Sequence, residues 1–185
     1  MTTQFDTLDY LKEGNARQKQ AYSILTDYDV MAKLDRFTPI LVGTVPINIA
    51  IDSSDLDIIC YWDDKQTFYA AVIDAFSQQT GFRIRDYTLR GTDCVVANFL
   101  IDNVEIETFG QNIPTRQQMA YRHMLIEHEL LTERGEAFRQ QIIDLKRQGY
   151  KTEPAFGKLL GLQTDPYEAL LDYERNSFQQ KDAIK

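Results

Sequence analysis

Cysteine is close to absent from this 185-residue chain: Cys60 and Cys94 stand alone, each in an apolar run and neither in a Cys-x-x-Cys pair. That excludes a disulfide framework and a four-ligand zinc site, and leaves two small buried hydrophobes of a reducing compartment. Histidine is equally scarce. His123 and His128 are five apart, about 140° off register on a helix, so they form no i, i+4 metal pair. Ile126-Glu-His-Glu-Leu130 lacks the second histidine of a zinc-protease motif. Positive charge is short as well, 20 basic against 28 acidic residues, a net charge of −8 and a pI of about 4.8. General nucleic-acid binding, which needs basic charge to displace counterions, is therefore not expected, whereas a phosphate ligand arriving with a divalent cation is not excluded. The longest uncharged stretch, 37–51, has 15 residues and two prolines. A spanning helix needs about 20 apolar residues, and the first fifteen positions lack the pattern of a signal peptide, so the protein is expected to be cytoplasmic and off the membrane.

What is present is ordinary globular material, 43% hydrophobic and 26% charged, with no repeat and no Pro/Gly/Ser linker. One domain over 1–185 is expected, with a helical segment 5–36, a sheet core 37–110 and a helical region 114–175. Asn15 to Leu25 reads as a helix on which Asn15, Arg17 and Gln18 occupy a solvated face, and Asp29 reads as the cap of a second, short helix. Pro39 to Val42 is a buried strand ending at Gly43-Thr44. Asp55 to Trp62 alternates, with Leu56, Ile58 and Cys60 on one face and Asp55, Asp57 and Ile59 on the other. A helix capped by Asp64 runs to about Gln79 and ends at Gly81. Strands Phe82–Leu89, Cys94–Ile101 and Val104–Phe109 follow, joined by turns at 90–93 and at Asp102-Asn103. Thr115 to Gln118 fits a capping box opening a helix to about Thr132; further helices start near Glu136, Thr152 and Asp165, and a polar tail begins past Arg175. The fold class is α/β (α+β), a mixed sheet of about five strands flanked by helices.

The chemistry concentrates between Gly43 and Asp57. Alternation sets Asp55 and Asp57 on one strand face, where two carboxylates repel and a divalent cation is the usual remedy. Gly43 lets a polyphosphate approach backbone N–H groups and the Thr44 hydroxyl. Gln118, Tyr121, Arg122 and His123 form a polar cluster after the strands, in which Arg122 can hold a phosphate bidentately or pair within its helix.

A strand ending in Gly-Thr, then Asp55-Leu-Asp57-Ile opening the next strand, resembles the nucleotidyltransferase superfamily signature. That signature has a short helix between the two strands and a third acid on a later one. Val104-Glu105-Ile106 and Ile106-Glu107-Thr108 both suit the third acid; period two puts them on one face, and Glu107 is favoured. More narrowly, Gly43-Thr-Val-Pro46, Ser54-Asp-Leu-Asp-Ile58, Glu107-Thr-Phe-Gly-Gln111, Ala120-Tyr-Arg-His-Met124 and Thr152-Glu-Pro-Ala-Phe156 resemble a bacterial family known as domain of unknown function 4269. That resemblance spans nearly the whole chain, Gly14-Asn15 and Arg17-Gln18 included. It implies a nucleotidyltransferase-like fold without naming a substrate. The superfamily implies Asp55, Asp57 and Glu107 as catalytic and metal-holding acids for up to two Mg²⁺, with Gly43, Thr44, Ser54 and Arg122 around a nucleoside triphosphate. A nucleoside monophosphate would pass to a hydroxyl of a small molecule or protein. The apolar Val45-Pro-Ile-Asn-Ile49 departs from the polar segment usual there, and Asn48 stands where a second glycine falls. A catalytically degenerate nucleotide-binding or antitoxin-like interaction module is the rival reading.

Overall fold

The computed structural model describes residues 3–173. Strands β1 (Ile40–Val42), β2 (Leu56–Tyr61), β3 (Thr80–Leu89), β4 (Thr92–Ile101) and β5 (Val104–Gln111) form one sheet in the order β1-β2-β5-β4-β3. β2 and β5 run parallel and every other neighbouring pair antiparallel, so the class is α+β with a mixed sheet. Around it lie α1 (Asp9–Lys12), α2 (Ala16–Asp27), α3 (Val30–Lys33), α4 (Lys65–Phe76), α5 (Met119–Arg147) and α6 (Thr152–Leu160), and residues 166–173 are helical too. No helix among the described residues is long and apolar enough to cross a membrane.

Strand alternation sorts the core onto two sheet faces. Leu56, Ile58, Cys60, Ala97, Phe99 and Ile106 meet Ile24, Leu25, Phe68 and Val72 from α2 and α4 on one side. Ile40, Val42 and Ile59 meet Met124, Leu131, Ile142 and Phe156 from α5 and α6 on the other. Odd-numbered positions of β2 and β5 face this second layer, which is how Asp57 and Glu107 come to look toward the C-terminal helices.

Local signals explain most boundaries. Asn15 and Gln18 close a capping box at α2, and Asp64 accepts the Thr67 amide at 2.8 Å to start α4; each such cap stabilises its helix by about 1 kcal/mol. Both hairpins turn on two left-handed residues, Arg90-Gly91 and Asp102-Asn103, as a type I′ turn requires.

Other boundaries differ from the sequence reading. Asp29 does not cap with its side chain: it is itself left-handed (φ 56°), and its carbonyl instead accepts the Lys33 amide. α4 stops at Phe76, and Gly81 sits in the first residues of β3, where the pairing with β4 slips between Thr80 and Arg83. The turn after β3 is two residues long because Thr92 already pairs with Leu89. Thr115 forms no capping box; 115–117 is a 3₁₀ turn, and α5 opens at Met119. Helical bonding bridges the two C-terminal helices read from the sequence, yet Gly135, at φ 76° and ψ −170°, breaks the axis between them. The polar tail past Arg175 lies outside the described residues.

Candidate functional site

The segment linking β1 to β2 is a turn over 44–48 rather than the short helix the superfamily pattern implies. Val45, Ile47 and Ile49 are buried, Asn48 is left-handed, and Pro46 has no amide to donate. Its carbonyls are taken by side chains from distant elements. Gln18 Nε2 donates to the Val45 and Pro46 oxygens at 3.0 and 3.1 Å. Arg139 Nη1 donates to Ile47 O at 2.6 Å and Asn48 O at 3.4 Å, and Lys146 Nζ to Ile49 O at 2.9 Å. Five consecutive carbonyls are thus tethered. Asn15 adds a bond from Nδ2 to Asn48 Oδ1, and Arg17 one to the Ser54 carbonyl. The N-terminal face expected to be solvated is instead a set of loop anchors, and Gln18 is buried.

Gly43 precedes the turn at φ 76°, and a Cβ there would stand 2.2 Å from Asp57 Oδ2. The glycine therefore serves close approach of backbone to carboxylate as well as the left-handed bend. Thr44 donates to Ser54 Oγ, which in turn accepts the Ile51 amide at 3.0 Å. Asp57 is paired in register with Glu107 across the parallel strands. Glu107 also accepts from Asn98 Nδ2 at 3.1 Å. Glu105, on the same strand face, lies instead within 3.5 Å of Arg83, and both side chains are exposed.

Burial, followed by the charges of Asp55 and Glu107, pushes the Asp57 carboxyl up to about 8, against an opposing pull from Lys146. Burial and Asp55 also raise Glu107, although the Asn98 hydrogen bond opposes them. The Asp55 charge thus disfavours ionisation of both Asp57 and Glu107, and Glu107 that of Asp57. Among the described residues no three His, Cys, Asp or Glu side chains already converge on a common cation position. The donor set, all carboxylate oxygen beside an unhindered glycine, nevertheless suits Mg²⁺ in kind.

These groups open onto a cavity of about 880 Å³, lined by Gly43, Thr44, Ser54, Asp55, Asp57 and Glu107. Pockets of roughly 300–1,000 Å³ are typical of small-molecule sites. Arg122 is not part of its wall: helical periodicity turns His123 and Glu127 inward, four residues apart, and leaves Arg122 on an adjacent face.

Sequence reasoning passed over Glu127, Lys146 and Glu153, which line the same cavity. Glu127 is only 3% exposed, and burial with the Glu153 charge raises its carboxyl well above the usual range. Burial lowers Lys146 to about 8, while Glu127, Asp57, Asp55 and Glu153 pull it the other way. His123 bridges Glu153, at 3.4 Å from Nδ1, and the Tyr167 carbonyl, at 2.8 Å from Nε2. A charged residue on an otherwise apolar helix stripe was the signal available: Glu127 sits beside Ile126 and Leu130, and Lys146 next to Leu145 and four after Ile142.

A family model described as Domain of unknown function (DUF4269) matches residues 23–173. Among solved structures, the Cid1 poly(U) polymerase bound to MgGTP superposes with a TM-score of 0.52 at 11% identity, over 75% of this chain and 46% of that one. A Cid1 mutant bound to MgATP gives 0.53 at 13% identity, over 83% and 53%. The GLD-2/RNP-8 complex gives 0.52 at 13% identity, over 80% and 59%. This chain thus spans about half the length of the structures it resembles, and at such identities the likeness is one of fold, the nucleotidyltransferase-like fold. No curated protein matches it.

Proposed function

The chain belongs to the family described as Domain of unknown function (DUF4269), and we propose that it is a Mg²⁺-dependent nucleotidyltransferase that transfers a nucleoside monophosphate to a hydroxyl acceptor. The observation that carries this reading is the side-by-side pairing of Asp57 and Glu107 on neighbouring parallel strands. Asp55 is near enough to raise both, and all three face a cavity whose rim is Gly43-Thr44. Carboxylates packed this closely call for cationic charge, which Lys146 supplies only in part.

In this reading Asp55, Asp57 and Glu107 hold the metal, and Gly43, Thr44 and Ser54 border the triphosphate. Arg122 lies outside the residues that line the cavity. Bound Mg²⁺ would polarise the α-phosphate and offset the charge of the leaving group. The acceptor oxygen bonds to the α-phosphorus as the bond from that phosphorus to the bridging oxygen breaks. Pyrophosphate leaves with the electron pair, and the hydroxyl proton passes to a cavity carboxylate. The acceptor is a small molecule or a protein side chain, since the net charge of −8 does not suit a nucleic-acid track.

Each nucleoside triphosphate with Mg²⁺ tests the ligand class. At about 100 times its Kd the ligand should stabilise the fold by roughly 2.7 kcal/mol, a melting shift of about 5–10 °C that vanishes in EDTA. Pyrophosphate release with pooled acceptors then tests the reaction. Absence of any shift with all four nucleotides sinks the ligand class; a shift without release for any acceptor leaves the binding module as the function.

A further inference from the structure

The sheet face that carries the acids runs on past them to an open edge. Strand pairing places Asp57, Glu107, Asn98 and Arg83 in one row across β2, β5, β4 and β3. Arg85 and Tyr87, two and four positions further along β3, point to the same side. On that side Gly81, Arg83, Arg85, Tyr87 and Leu89 are all exposed. The acids of the β3–β4 hairpin go the other way: Asp86 and Asp93 lie on the opposite face, where Lys65 pairs with them at 3.0 and 3.2 Å. In a chain of net charge −8, the site-side face of β3 thus carries two arginines and no carboxylate. Arg83 has only Glu105, at 3.5 Å between two exposed side chains, an attachment of little strength. Arg85 makes no hydrogen bond or ion pair among the described residues. Its charge nevertheless reaches the site: burial raises the Glu107 carboxyl, and Arg85, after Asn98, pulls it back.

Direction decides what this shelf meets. In an in-line displacement the leaving pyrophosphate and the entering hydroxyl lie on opposite sides of the α-phosphorus. Gly43 and Thr44, at the end of β1, border the leaving side, so the hydroxyl enters from the side of β4 and β3. We propose that Arg83 and Arg85 hold an anionic group of the acceptor, which makes the acceptor a small hydroxyl-bearing anion, a sugar phosphate or a hydroxy acid. A guanidinium grips either phosphate or carboxylate through two parallel hydrogen bonds. Tyr87, 40% exposed, offers its ring to the carbon skeleton between. Two strand spacings, about 10 Å, separate β3 from β5, and a sugar phosphate together with the length of an arginine side chain spans that distance. A nucleic-acid strand does not suit the shelf, because Glu105 shares the face and the basic positions end after two residues. As an assignment of the acceptor this rests on the transfer reading above; as an anion site it does not.

Binding measured at low salt, without metal or nucleotide, separates the two. Glucose-6-phosphate and gluconate are titrated calorimetrically against glucose, and glycerol-3-phosphate and glycerate against glycerol, so that the phosphate and carboxylate arms tell the two anions apart. At least one anion should bind tenfold or more tighter than its neutral counterpart. Arg85→Gln and Arg83→Gln should each lower that preference about tenfold, and both side chains are exposed, so the variants keep the fold. Arg36→Gln removes the same charge beside α4 and should leave the preference unchanged. Equal binding of every matched pair overturns the inference. A preference that survives in the Arg83→Gln, Arg85→Gln double variant, or falls as far in Arg36→Gln, overturns it too. Tighter binding of a single-stranded RNA oligonucleotide through the same two arginines overturns the small-molecule assignment. With Mg²⁺ and nucleoside triphosphates added, an anion preference without pyrophosphate release leaves the anion site standing and removes the transfer reading. Release with neutral acceptors, unchanged in Arg85→Gln, does the reverse.

Discussion

Asp57 is a strand acid whose surroundings oppose its charge, and pH should expose that. Its ordinary value of 3.8 is raised to about 8 in the folded chain, by burial first and then by Asp55 and Glu107. Between those values the folded state holds a proton that the unfolded state has lost, so the contribution to stability is full below about pH 4 and declines up to about pH 8. Lys146 works in the opposite sense. Burial depresses it from 10.5 to about 8, so its contribution is lost as pH falls through about 8 and recovers toward 10.5. Metal-free protein should therefore melt lowest near pH 8, and Asp57→Asn should shrink the acidic limb of the profile to the part that Glu107 and Glu127, also raised, contribute. At pH 8 in EDTA that variant should melt above wild type by roughly 5 °C, each kcal/mol being worth about 2–4 °C. Mg²⁺ should narrow or reverse the difference. Glu105→Gln, which loses only an exposed contact with Arg83, should change little in either buffer. A drop for Asp57→Asn that is the same with and without metal would instead mark Asp57 as a structural aspartate.

Among the elements, the break in α5 separates the half that carries His123 and Glu127 from the half that carries Arg139 and Lys146. Gly135 occupies a backbone region essentially reserved for glycine, and an added Cβ there would meet open space. Gly135→Ala should thus cost about 1–3 kcal/mol from backbone strain alone. If the helix straightens in response, Arg139 and Lys146 leave the Ile47, Asn48 and Ile49 carbonyls. Under the transfer reading the nucleotide-dependent melting shift should then be lost. Gly91→Ala, equally left-handed and open but in a hairpin, should be destabilised while keeping that shift. Equal shifts in both variants would show that the loop does not depend on the break. Much of this level was legible in the sequence. Alternation in 55–62 showed the faces of β2, Asp64 marked the start of α4, and a break between 132 and 136 was readable as well. The choice between Glu105 and Glu107 was not, because period two cannot tell them apart; only the strand register sets Glu107 opposite Asp57. The loop anchors were hidden for a different reason. Nothing in the identity of a glutamine, arginine or lysine says that it will reach a carbonyl on a distant segment.

For the molecule as a whole, those anchors differ from the sheet in how much chain they must bring together. β3, β4 and β5 are joined by two-residue turns, so their pairing is local. The tethers on 45–49 span 27 residues from Gln18, 92 from Arg139 and 97 from Lys146. Closing longer loops costs more entropy before contacts repay it, which delays non-local structure. In pulse-labelled hydrogen exchange during refolding, the Ile49 amide, bonded to Thr44 O at 3.1 Å, should become protected after the β4 and β5 amides. Simultaneous protection would show that the turn folds without its anchors. The same arithmetic applies to a chain growing on the ribosome. Once residue 111 has emerged every strand is available, but the two cations that fix the 45–49 turn are still unmade. Roughly 35 more residues must follow, which at about 5–20 residues per second is a delay of some seconds. A nascent chain would therefore carry a paired sheet well before its 45–49 turn is anchored, and a message truncated just after β5 would encode the carboxylates without the finished cavity.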